Sequence, residues 1–257
     1  MPKPQLRQAV VTQSVRITPT MQRIYFSGDD LLNFPVVEAG AYVKLLFDLN
    51  GNPLQRPTDT DQVAMRTYTV AQFDAAKPEL VLDMVVHTDG GKTGPASAWA
   101  TSTQPGDIIT IAGPGSSKGL SAQYHWLLLA GDITALPSIR NHLAELPQQT
   151  KGYAVIQIED AKDAVALKKP EGVTVIWEYE HPLPVRLAQL AWHEGIPNVW
   201  VACEFSDMRE IRAWLKDEKA VAHENIYISS YWKKGRSEDQ HKIEKRRDNE
   251  AFIKTLA

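Results

Sequence analysis

Residues 65–70 read Met65-Arg66-Thr67-Tyr68-Thr69-Val70, and the fold turns on reading this stretch as the end of a β-strand. Tyr68 and Val70 alternate with small hydroxyl residues, which suits a half-buried strand. Arg66 and Tyr68 lie at alternate positions, with Thr69 one further on. An arginine presents a planar fork that can neutralise a pyrophosphate. A tyrosine can stack on a flat ring, and a threonine hydroxyl can hydrogen-bond to the ring's edge. Together the three suit a flavin nucleotide. The same residues also make an ordinary amphipathic strand, so the surrounding chain has to decide.

Working outward, residues 7–120 read as all-β. Short alternating runs at 9–17 and 21–26 are separated by the turn Thr18-Pro19-Thr20. Further strands are expected at 40–49, 65–71, 79–86 and 107–112, with a polar turn at 74–78. Many short strands at this spacing indicate a sandwich or a small barrel. One interruption stands out: residues 89–102, DGGKTGPASAWATS. Glycines lead to Pro95, which is tolerated in the first turn of a helix, and 96–101 can complete that helix. A glycine loop entering a helix N-terminus offers backbone N–H groups to a phosphate; a plain turn and a capped helical turn fit the residues as well.

From Tyr124 the pattern changes. Strands at 126–130, 153–159, 173–179, 198–202 and 225–229 alternate with helices at 134–146, 163–168, 183–193 and 207–218. This order implies a parallel sheet covered on both faces. The boundary between the halves falls near 120–123, and a charged, helix-compatible segment closes the chain at 237–256. A parallel sheet offers a nucleotide crevice at its carboxyl edge. No G-x-G-x-x-G and no Walker motif is present, so the usual dinucleotide fingerprint is missing.

The totals exclude several classes. A chain of 257 residues is comfortable for two domains, and 43% hydrophobic with 23% charged residues is ordinary globular composition. A net charge of -3 gives no global case for nucleic acid. The single cysteine, Cys203, rules out an intrachain disulfide and a cysteine zinc cluster. The seven histidines show no metal-ligand spacing. No apolar run reaches membrane-spanning length, and the opening MPKPQLRQAVV lacks the apolar core of a signal peptide. The expectation is a cytoplasmic protein, monomeric by default, that binds neither nucleic acid nor membrane.

Taken in order, RTYTV (66–70), DMVVH (83–87), the DGG…GPASAWA block (89–100), GPGSSKG (113–119), AGDITALPSI (130–139), WVACE (200–204) and SSYWKKG (229–235) resemble the siderophore-interacting protein family. These are flavin-dependent ferric-siderophore reductases of the ferredoxin–NADP reductase superfamily, and the resemblance covers nearly the whole chain. It implies an antiparallel six-stranded FAD-binding β-barrel over 1–121. An α/β parallel-sheet, nicotinamide-binding-like domain with a C-terminal helix would follow over 122–257.

The resemblance also assigns roles. Arg66, Tyr68 and Thr69 would hold FAD at its phosphate, isoalloxazine and edge. Asp83, Val85 and His87 would flank it on the next strand; family members usually have His-Gly where this chain has His87-Thr88. Gly94, Pro95, Ala96, Ser97 and Trp99 would cradle the pyrophosphate. Asp132, Thr134 and Ala135 would meet the adenine side or flavin rim, and the segment containing Trp232 would return toward the flavin. Many members carry Glu where Ile133 stands. They commonly read Ala-Gly-Glu where this chain has Ala202-Cys203-Glu204, so Cys203 is either a nicotinamide-side residue or a small buried one.

Siderophores grip ferric iron through hard oxygens, and ferrous iron binds those oxygens less tightly. One-electron reduction is therefore a release mechanism. It requires neither a catalytic acid or base nor a permanently bound metal, so none is expected. An anionic ferric complex calls for local positive charge, and the candidates are Lys44, Lys118, Lys233 and Lys234. Electrons would come from NADH, NADPH or reduced ferredoxin. The alternatives are a flavin- or siderophore-binding protein without significant turnover and a general flavin reductase.

Overall fold

A computed structural model of the chain describes residues 5–57, 62–86, 94–116, 119–121 and 123–254. The chain divides into two compact units. One runs up to Gly119 and takes in Pro137–Glu145 and Glu159–Lys168; the other comprises Leu120–Leu136, Leu146–Ile158 and Lys169 onward.

The first unit is a closed barrel. Its strands are β1 (Leu6–Thr18), β2 (Met21–Ser27), β3 (Tyr42–Phe47), β4 (Ala64–Asp74), β5 (Glu79–Val85) and β6 (Ile108–Gly115), in the order β1-β2-β5-β4-β3-β6. Every neighbouring pair is antiparallel, including the β1–β6 pair that closes the circle. Period-two side-chain alternation fills the interior. Ile24 and Phe26, Val43, Leu45 and Phe47, Leu80, Leu82 and Met84, and Ile109 and Ile111 form one buried cluster. Helix α1 (Pro95–Ser102) packs on β2, β3 and β5. It adds Ala96, Trp99 and Ala100 to that core. The Trp99 ring stacks with Phe26 at 6.2 Å and meets Phe47 edge-on at 6.1 Å.

The second unit is a five-stranded, all-parallel sheet. Its strands are β7 (Trp126–Asp132), β8 (Gly152–Gln157), β9 (Val173–Glu178), β10 (Pro197–Glu204) and β11 (Ile226–Trp232), in the order β11-β10-β7-β8-β9. Continuous apolar runs suit strands covered on both faces, and every residue of β7 is buried. The chain winds from β7 outward to β9, then returns to lay β10 on the other side of β7. The topological switch point therefore lies between β7 and β10, at their carboxyl ends. The remaining helices are α2 (Leu136–Glu145), α3 (Leu183–Ala188), α4 (Phe205–Ala213) and α5 (Glu238–Lys254). The six-stranded barrel, the parallel sheet and the C-terminal helix are those expected. No helix among the described residues is long and apolar enough to cross a membrane.

Two helices differ from expectation. Residues 163–168 were expected to be helical, but the chain makes only a 3-10 turn, Ala161–Asp163, capped by Asp160. Asp163 is fully buried, accepting hydrogen bonds from the Thr18 hydroxyl and, at 3.0 Å, the Thr20 N–H. This side chain ties the segment to the β1–β2 turn, and the chain runs on without helix. The helix expected to reach 193 stops at Ala188. Beyond it, Trp192 and His193 pack edge-on against Trp126 at 4.7 and 5.3 Å, contacts that continuing helix periodicity was not needed to supply.

Helix α2 carries a pH prediction. Burial pushes His142 down to about 4, below its value of about 6.5 in an unfolded chain. As pH falls below about 6.5 the unfolded chain binds a proton that the folded one refuses, so stability is lost down to about pH 4. At 1.36 kcal/mol per pKa unit the loss reaches about 3 kcal/mol. Asp207 acts with the opposite sign: burial and neighbouring Glu204 push it up to about 6, so its penalty at neutral pH is relieved on acidification. Urea midpoints from pH 7 to 4 will fall in the wild type and fall less in His142→Leu; parallel acid limbs would contradict the assignment.

Candidate functional site

Arg66 and Tyr68 lie opposite Leu45 and Val43 of β3. They share the strand face that carries Ala64 and Val70 into the barrel core, and Tyr68 is half-buried against that core. Arg66 is half-exposed, and its Nη1 donates to the Met65 carbonyl at 2.9 Å. Thr69 is on the other face and is buried. Lys44 pairs with Thr67. It is therefore on the Thr69 side of the sheet, opposite to Arg66 and Tyr68. Close by, a Cβ at Gly115 would come within 2.4 Å of the Tyr42 ring, so a larger residue there would displace the end of that side chain.

Helix α1 begins at Gly94, with Pro95 at its first position, no side-chain cap and no acidic residue in the first turn. Helix geometry directs the N–H groups of that turn out of the N-terminal end. Among the described residues, a Cβ at Gly94 would meet nothing within 4 Å. The end thus keeps the partial positive charge that suits an anion. Ser97 is buried beside it. Ala96 and Trp99 are core residues, so their side chains anchor the helix and leave its backbone to face a ligand. His87, Lys118 and most of the glycine loop at 89–93 lie outside the described residues.

On β5, Val85 and Asp83 are both buried. Asp83 is ion-paired to Arg23, through Nε at 2.6 Å and Nη2 at 2.9 Å, and to Arg140 Nη1 at 2.9 Å. The carboxylate holds Arg23 above its ordinary pKa, chiefly through these hydrogen bonds. Neither arginine was singled out from the sequence.

At the switch point of the sheet, Asp132 ends β7. It caps the 3-10 turn at 133–135 by accepting from the Thr134 N–H at 2.9 Å and from the Thr134 hydroxyl. Its other oxygen accepts from Trp232 Nε1 at 2.8 Å. Burial pushes the Asp132 carboxyl up, against the pull of those hydrogen bonds. Ala135 is fully buried and Thr134 half-buried. Glu204 caps α4 by accepting from the Ser206 N–H, and it accepts from the Lys234 N–H at 3.1 Å. Cys203 is fully buried in the core of the sheet. Burial first, then Asp132, Asp207 and Glu204, push its thiol far up, which makes it an inert core residue.

The basic run after β11 is partly neutralised. Lys233 and Arg236 both bond Glu244 of α5, Arg236 at 2.9 Å. The Lys233 ammonium also lies 4.5 Å from the Phe205 ring centroid. Lys234 is exposed, and no ion pair of its side chain occurs among the described residues. Helix α5 is secured to the sheet unit by His241 on the Ser230 hydroxyl (2.8 Å), by Lys245 on Ser229 and on the Ser230 carbonyl (both 2.7 Å), and by Asp248 on Arg209 and Arg212.

Comparison with known proteins joins these observations. Residues 10–118 match the siderophore-interacting FAD-binding domain and residues 124–235 match the siderophore-interacting protein domain. The ferric vibriobactin reductase ViuB of Vibrio cholerae is 30% identical over 246 residues, covering 89% of this chain and 90% of that protein. The NADPH-dependent ferric-chelate reductase of Escherichia coli is 26% identical over 240 residues, covering 88% and 92%. Among solved structures, the siderophore-interacting protein SipS from Aeromonas hydrophila superposes with a TM-score of 0.85 at 26% identity, covering 96% of this chain and 99% of that one. A ferredoxin–NADP+ reductase from Plasmodium falciparum shares the fold, with a TM-score of 0.63 at 10% identity, covering 88% and 97%. The chain belongs to the siderophore-interacting protein family, and its barrel is that family's FAD-binding domain.

Proposed function

We infer that this flavin oxidoreductase reduces ferric siderophores and so releases ferrous iron in the cytoplasm, with FAD between the electron donor and the iron. The observation that carries the reading is helix α1: a helix whose first turn has no side-chain cap among the described residues, in the same barrel as the Arg66-Thr67-Tyr68-Thr69 strand. Bound FAD accepts a hydride and passes on single electrons. The residues of the chain bind and orient it. Arg66 and the first turn of α1, from Gly94 to Ser97, neutralise the pyrophosphate. Tyr68 packs along the ring and Thr69 bonds its edge. Within the sheet unit, Asp132 caps the turn at Thr134 and orients Trp232 through its Nε1.

The chain needs no acid, base or resident metal for this task. It needs cations to receive an anionic iron complex, and Lys44, Lys118 and Lys234 are assigned that role. Lys233 supports it indirectly, because its charge is already shared with Glu244. NADPH is the donor favoured by the Escherichia coli relative's name, with NADH and reduced ferredoxin as competitors. Flavin reduction followed anaerobically with each donor, then ferric siderophore and a ferrous trap, tests the reading. Flavin that bleaches and forms no ferrous iron would point instead to a flavin- and siderophore-binding protein.

Lys234→Ala is expected to raise KM for an anionic ferric siderophore about threefold to tenfold at low salt, the effect fading as salt screens it. FAD binding will be unchanged. Equal KM values for Lys234→Ala and wild type at low salt would remove the lysine from the substrate site.

A further inference from the structure

Asp83 sits on β5 with its side chain 2% exposed, and three nitrogens from two arginines converge on it. Arg23 stands directly across the β2–β5 pair and grips both carboxylate oxygens. Arg140 arrives from α2 and reaches one oxygen through a single nitrogen. The next residue of α2, Asn141, donates its Nδ2 to the Val70 carbonyl at 2.9 Å. Residues 137–145 of α2 belong to the barrel unit, so these contacts lie within it.

Two consecutive side chains of one helix therefore hold two adjacent strands, β5 at Asp83 and β4 at Val70. They do so beside an irregularity. Val70 pairs with Leu82, and the register slips between Val70 and Gln72. A bulge locally disrupts the ladder, so the strand end there gets less support from its neighbour. Along the two strands Thr69 immediately precedes Val70 and Asp83 immediately follows Leu82, the pair with which the β4–β5 ladder ends. The clamp thus closes immediately behind the Arg66–Thr69 stretch.

We propose that Arg140 and Asn141 are positioning residues for the flavin strand. Through Asp83 and the Val70 carbonyl they fix the backbone of Thr69, and Asp83 serves this clamp rather than touching FAD. The inference rests on the reading that Arg66, Tyr68 and Thr69 hold FAD. Its chemistry makes an asymmetric demand. Arg140 uses one nitrogen, which a lysine can replace. Arg23 uses two nitrogens on two oxygens, a geometry that lysine lacks.

The test is titration of FAD into apoprotein, followed by flavin fluorescence and by the fine structure of the visible absorption band. The expected result is affinity about tenfold weaker in Arg140→Ala, near wild type in Arg140→Lys, and weakened in Arg23→Lys. Asn141→Ala leaves the ion cluster whole and is expected to weaken FAD about threefold with a blurred visible band; it decides the matter should Arg140→Ala fail to fold. Wild-type protein that takes up no FAD would overturn the underlying reading. Wild type that binds FAD, with Asn141→Ala and Arg140→Ala matching it in affinity and spectrum, would overturn the clamp alone. So would a loss in Arg140→Ala that lysine does not restore.

Discussion

Arg66→Ala will leave a folded barrel whose affinity for FAD is about a hundredfold weaker. The side chain is half-exposed on β4 and lies outside the buried core, so stability should change by less than about 1 kcal/mol. What is lost is the planar fork on the pyrophosphate. Hydrogen bonds to charged groups contribute about 1.5–3 kcal/mol each, and about 2.8 kcal/mol corresponds to a hundredfold in affinity. Arg66→Lys keeps the charge without the fork and will recover part of the loss. Equilibrium dialysis of apoprotein against FAD measures this directly; full occupancy of the alanine variant at wild-type FAD concentrations would show that Arg66 serves the strand alone.

Trp99→Ala will act in the opposite way, on the fold first. The ring is 6% exposed and wedged between Phe26 and Phe47. Truncating a buried tryptophan costs about 3–5 kcal/mol, a large part of the stability of an ordinary domain. Trp99→Phe keeps most of the contact and will cost far less. Urea denaturation of the apoproteins separates the two roles this residue could have. An alanine variant as stable as wild type, yet unable to bind FAD, would show that the ring serves the cofactor and not the core.

Much of this architecture was legible because it is periodic. Alternation along residues 21–26, 40–49 and 79–86 marks strands that put every second side chain into one core, and the later half alternates strand with helix. The opening stretch lies on a strand, though near its start rather than its end, since β4 runs on to Asp74. The parts that were not legible depend on register and on docking. Arg23 and Asp83 are 60 residues apart in sequence, and only the β2–β5 register brings them face to face. A one-residue slip would have put them on opposite faces. Asp163 looked like a helix residue because its neighbours are good helix formers. Its burial against Thr18 and Thr20 outweighs that propensity. The basic run at 233–236 looked like a free patch, because Glu244, which takes up Lys233 and Arg236, belongs to the next helix. Cys203 was left open between two roles, and its complete burial decides for the core.

These contacts sharpen the roles proposed for the chain. Trp99 and Ala96 hold α1 in place, which leaves the backbone of its first turn as the part proposed to meet a ligand. Asp83 holds two arginines. Lys234 is exposed and, unlike Lys233 and Arg236, makes no ion pair among the described residues, so it is the better target for a substrate-binding variant.

The proposed reaction is electron transfer from FAD in this chain to siderophore-bound iron. It is tested most directly by loading the protein with FAD, reducing it anaerobically, and mixing it with a ferric siderophore and a ferrous chelator while following the flavin and the chelate together. Flavin colour is expected to return as ferrous chelate forms, at about two ferrous ions per flavin, since a hydride equivalent carries two electrons and each ferric centre takes one. Flavin that stays reduced in the presence of the ferric complex, with no ferrous chelate formed, would contradict it.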